Sequence, residues 1–104
     1  MLVQTFKPND IVTMKLVTGE EIISKFLESN DTGFKISKPL VLSITSQGPA
    51  MTPFLFTADI AGEITLPKHA VIATANTDKQ TAGQYIKGTS GIQPATTADF
   101  GKLL

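Results

Sequence analysis

The chain's one histidine stands in Pro67-Lys68-His69-Ala70, between an apolar alternation that ends at Leu66 and another that starts at Val71. A lysine beside an imidazole where two extended segments meet places a point charge and an aromatic donor at a turn, where ligands are commonly met. The pair is poorly equipped for catalysis. A hydrolase needs a nucleophile with an oriented base, and His69 has no second histidine, no cysteine and no glycine-elbow serine to work with. Glu20 and Glu21 follow a hairpin glycine, where a solvated face is the ordinary role of such a pair. One histidine among scattered carboxylates makes no metal-ligand set. The residue types therefore point to a binding protein with no enzymatic activity, no metal and no cofactor.

Charge narrows the partners. Nine acidic residues balance nine basic ones, and every basic residue is lysine. Without arginine there is no planar fork for bidentate contact with guanine or phosphate, which argues against reading DNA sequence. Zero net charge gives no general pull on a polyanion, so nucleic acid would need a local patch. The absence of cysteine suits a reducing compartment. No run approaches the ~18 apolar residues of a membrane span, and the first residues lack a signal-peptide core, so a cytoplasmic protein without a membrane partner is expected.

The elements that must position the Lys68-His69 pair are mostly strands. Val12, Met14 and Leu16 alternate with polar residues, Thr18-Gly19-Glu20 reverses the chain, and Ile22-Ile23-Ser24-Lys25-Phe26-Leu27 returns, so a hairpin opens the domain. After the Ser29-Asn30-Asp31-Thr32-Gly33 turn, Phe34, Ile36, Leu40, Leu42 and Ile44 fall on even positions, one face of a long third strand with a bend or bulge at Pro39. A turn over 46–50 leads to a fourth strand with Phe54, Phe56, Ala58 and Ile60 on one face. A bulge or short loop follows, and the strand resumes at Ile64 to Leu66. Val71-Ile72-Ala73-Thr74-Ala75 is the fifth strand. Thr77 with Gln80 makes a capping-box pattern, and the spacing of Ala82, Tyr85 and Ile86 predicts a helix over 78–87. The expected organisation is a β domain over 1–76, a helix over 77–88 and a tail over 89–104.

Five strands on tight turns, a hairpin opening and a Lys68-His69-Ala70 break before the last strand together resemble the Sm fold. They are most similar to the Hfq-like bacterial RNA chaperones, whose corresponding turn carries a lysine-histidine-alanine triplet. The resemblance covers residues 11–76. The chain departs from it in having no arginine-glycine pair in the later turn and in placing its helix at the C-terminus. Pro53-Phe54, the Ile64-Thr65-Leu66-Pro67-Lys68 segment and that helix are similar to divergent Sm-like proteins of tailed phages. The resemblance implies an all-β fold: a strongly bent five-stranded antiparallel sheet, a small open barrel, here with a short C-terminal helix.

The resemblance also implies a homo-oligomeric ring of about five to seven copies. Lys68 and His69 would line its opening and contact single-stranded, uridine-rich RNA, with Phe34 stacking a base and Asn30 hydrogen-bonding one. The even register of Phe34 also suits a core residue, and Asn30 before Asp-Thr-Gly suits a turn. One argument for a ring needs no relative. The expected edge strands read Phe54-Leu55-Phe56 and Val71-Ile72-Ala73, with no lysine among them, and pairing one edge with the other on a second copy would satisfy both. The alternative is a ring that binds protein, such as a phage assembly adaptor, which needs no convergence of lysines on one face.

Overall fold

The computed structural model describes residues 6–59 and 62–89; the expected strand residue Ile60 and the tail beyond Thr89 lie outside them. The described chain is mostly antiparallel sheet with one short C-terminal helix. It has six strands: β1 (Ile11–Leu16), β2 (Glu21–Asn30), β3 (Gly33–Thr45), β4 (Gly48–Pro53), β5 (Glu63–Leu66) and β6 (Val71–Asn76). A three-residue 3₁₀ turn, Lys68–Ala70, precedes β6, and the helix α1 spans Lys79–Thr89. The strand order is β4-β3-β2-β1-β6, with β5 paired to β3, and the sheet does not close on itself.

β3 organises the sheet. Its first part pairs with β5, Phe34 opposite Leu66 and Ser37 opposite Glu63, and its second part pairs with β4, Leu40 opposite Pro53 and Thr45 opposite Gly48. The change of partner falls at Lys38-Pro39. There β3 holds one residue more than β2 between the Ile23–Leu40 and Lys25–Ser37 pairs, a bulge, and Lys38 takes a positive φ of 52°. Of the bend or bulge expected at Pro39, the bulge is present.

The extra residue changes which side chains face inward, because strand side chains alternate. Ile36 joins a core of Val12, Met14, Leu16, Ile22, Phe26 and Leu66, whereas Leu40 joins a second cluster with Ile23, Met51 and Tyr85. Ile22 and Ile23 are neighbours on β2 and belong to different clusters, so the two cores lie on opposite faces. The single even-numbered face expected for β3 is therefore split at the bulge. Ile44, expected on that face, is exposed at the strand's end.

The expected fourth strand is corrected in two ways. Strand pairing begins at Gly48, inside the segment expected to be a turn, and ends at Pro53. Phe54, Leu55 and Phe56 lie in the loop beyond it, and the Phe54 amide donates to the Pro39 carbonyl at 3.1 Å. Edge position explains both prolines. Proline cannot donate to a ladder, and Pro49 and Pro53 sit on a strand with β3 on one side only.

The helix forms where its periodicity predicts, with a different cap and a narrower buried face. Asp78 accepts from the Thr81 amide at 2.8 Å and from the Thr81 hydroxyl at 2.8 Å, so it caps α1 in place of the Thr77–Gln80 box. Thr77 instead shares a hydrogen bond with Thr13 at 2.8 Å, holding the end of β6 to β1. Of the expected packing residues Tyr85 is buried, Ala82 is half-buried and Ile86 faces solvent.

Candidate functional site

Lys68 and His69 are both exposed on the 3₁₀ turn. Pro67 enters the turn with extended backbone, φ −60° and ψ 147°, and its carbonyl accepts from the Ala70 amide at 3.0 Å. The Ala70 carbonyl in turn accepts from the Val17 amide at 2.9 Å, which ties the turn to the end of β1. The Pro67, Lys68 and Ala70 carbonyls are thus bonded within the fold, and both side chains are open to solvent.

A second turn lies against this one. Asn30 pairs with Gly33 across the β2–β3 hairpin, and the Asn30 side-chain oxygen accepts from the Thr32 amide at 2.9 Å and the Thr32 hydroxyl at 2.5 Å. Gly33 has a φ of +146°, and a Cβ there would stand 2.0 Å from the Leu66 carbonyl oxygen and 3.1 Å from the Pro67 Cα. Only glycine lets the hairpin turn approach the backbone that leads into Lys68. Phe34 follows directly and is the register partner of Leu66. The hairpin turn and the backbone leading into Lys68 are therefore adjacent, through Gly33 against Leu66 and Pro67.

The four candidate side chains differ in availability. Lys68 and His69 are open. Phe34 is half-buried and packs against the main core, so only part of its ring is free for stacking. The Asn30 oxygen is engaged in its own turn, and its amide nitrogen lies 3.4 Å from the Glu28 carboxylate. Nearby, Lys35 is paired with Glu28 at 3.2 Å, which reduces the positive charge it adds. Among the described residues, no three or more His, Asp or Glu side chains come together as a metal site, and no helix is long and apolar enough to cross a membrane.

The residues expected at an oligomer interface divide between two places. Val71, Ile72 and Ala73 lie on β6, an edge of the sheet, with Val71 half-buried against the core and Ile72 64% exposed. Phe54, Leu55 and Phe56 are not on the opposite edge strand. Phe54 turns back into the main core, while Leu55 and Phe56 project from the loop, Phe56 at 78% exposure. The opposite edge is formed by β4 and β5.

Two participants escaped the sequence reading. Gly33 was recognisable as a turn glycine, but its approach to Leu66 depends on pairing between distant segments. Lys38 carried a faint signal as the residue before a proline inside a strand, a position where backbone choice is restricted. No protein-family model matches the chain, and no curated protein is detectably similar to it.

Proposed function

We propose that this chain is a non-enzymatic, Sm-like protein that forms a homo-oligomeric ring and binds single-stranded, uridine-rich RNA through Lys68 and His69. The observation that carries the reading is the seating of Gly33 on Leu66, which gathers the hairpin turn bearing Asn30 and Phe34 against the turn bearing the lysine and histidine. A base stacked on the free part of Phe34 would bring its sugar-phosphate toward Lys68, and each such weak interaction is multiplied by repetition around a ring. The strand order supports the Sm-like reading. The last strand returns beside β1, and β4 and β5 both pair along the other side of β3, as two parts of a fourth strand would.

Filter binding of a short oligouridine across a salt series tests the proposal. The Lys68→Ala/His69→Ala protein is expected to bind more weakly than wild type while keeping its oligomeric state, because neither side chain contributes to a strand ladder. For every lysine–phosphate interaction removed, the salt dependence should also flatten by about 0.7 in slope on single strands. Equal binding by both proteins would remove the site. No binding by either at low salt would favour the protein-adaptor reading, which has its own support in the exposed Leu55 and Phe56.

A further inference from the structure

Helix α1 meets the sheet through one large side chain. Tyr85 is 1% exposed and packs against Ile23, Leu40 and Met51, while its neighbour Ile86 faces solvent. The Tyr85 hydroxyl reaches the bulge in β3, donating to the Lys38 carbonyl at 2.5 Å, with the Ser37 carbonyl at 3.4 Å. These are backbone groups of the β2–β3 ladder at the point where the extra residue breaks its regular bonding. The hydroxyl therefore replaces what the bulge removes. The same helix holds Lys38 a second time, since its ammonium lies 3.5 Å from the Thr89 carbonyl at the end of α1.

Lys38 is an unusual residue to be held there. Its φ of 52° is a conformation that side chains other than glycine, asparagine and aspartate resist, and one that persists only where the surroundings enforce it. It also stands where β3 changes partner, between the β5-paired part that leads to Leu66 and Lys68 and the β4-paired part beyond Pro39. A change of angle at Lys38 would move one part of the sheet relative to the other.

We infer that Tyr85 is a positioning residue for the Lys68-His69 turn: by gripping Lys38 in its strained conformation, it fixes the bend of β3 and hence where β5 delivers that turn.

Amide hydrogen exchange on the full chain tests this without reference to any ligand. In Tyr85→Phe, which keeps the ring and its packing, the Lys38 carbonyl loses its donor and the amides beside the bulge should exchange about tenfold faster. Amides at Lys35, Thr65, Leu66 and Ala70 should also speed up, while those of β1 and β6 such as Met14 and Thr74 keep their rates. Lys38→Asn supplies the rescue. Asparagine tolerates positive φ, so removing the hydroxyl from the Lys38→Asn protein should accelerate Thr65, Leu66 and Ala70 by less than about twofold. Unchanged exchange in Tyr85→Phe, uniform acceleration across all strands, or an equal effect with and without Lys38→Asn would each overturn the inference. A second readout rests on the RNA-binding proposal: oligouridine affinity should fall about fivefold in Tyr85→Phe with the oligomer intact, and recover in the double variant. Wild type that fails to bind RNA would defeat that proposal alone, because the exchange pattern still decides whether Tyr85 sets the turn.

Discussion

At the scale of single residues, the site depends on an atom that is missing. Gly19 and Gly48 have positive φ and open space around them, so a methyl group there meets only backbone strain. Gly33 combines positive φ with a Leu66 oxygen 2.0 Å from where a Cβ would stand. Gly33→Ala is therefore expected to lower the free energy of unfolding in urea by about 3 kcal/mol, clearly more than Gly19→Ala. Equal losses at the two positions would mean that the hairpin turn and the Pro67 turn do not touch. The sequence made Lys68 and His69 legible because their types and isolation say something on their own. It could not disclose Gly33 as their neighbour, since that fact belongs to the pairing of Phe34 with Leu66.

At the scale of elements, alternation was a good guide wherever one residue opposed one, as along β1 against β2. It failed at Lys38-Pro39, where an inserted residue exchanges the two faces of β3, and at Phe54 and Phe56, whose alternation belongs to a loop. Gly48-Pro49 read as a turn by composition, yet an edge strand tolerates both residues. The helix was legible through Tyr85, and its start is set by charge. The Asp78 carboxyl is held below the ordinary 3.8 by the Thr81 amide first and the Thr81 hydroxyl second. A depressed folded-state pKa means that its stabilisation is present above the unfolded value and is lost as pH falls through the folded one. Asp78→Ala is expected to melt at a lower temperature than wild type at neutral pH, with the gap closing as pH falls below the ordinary carboxyl value of 3.8. Tyr85 is the only tyrosine and there is no tryptophan, so tyrosine fluorescence reports the docking of α1 directly. A gap that stays constant through the acid range would show that the carboxylate does not cap the helix.

At the scale of the whole molecule, the sheet has two sides that could receive a further strand. One is β6. Between Val71 and Ala73 it holds an extra residue, Ile72, against Lys15 and Leu16 of β1, and a bulge of this kind partly protects an edge. The stretch beyond it, Ala73 to Asn76, pairs regularly with β1 and carries no charge. The other side is β4 and β5, whose strands carry Glu63 as their one charged residue, whereas β6 carries none. Edges without like charge leave head-to-tail contact between copies unopposed, the arrangement that closes into rings. Ile72 offers a test that spares the fold, because it is 64% exposed and a lysine there can extend into water. Light scattering at micromolar concentration should find wild type as an oligomer and Ile72→Lys dissociated toward monomer, with circular dichroism and melting temperature unchanged. Ile86→Lys is the control. It places the same charge at an exposed apolar position on α1, outside the strands, and should leave the assembly intact. Dissociation by both substitutions would locate the contact on the helical face, and a wild-type monomer would exclude the ring.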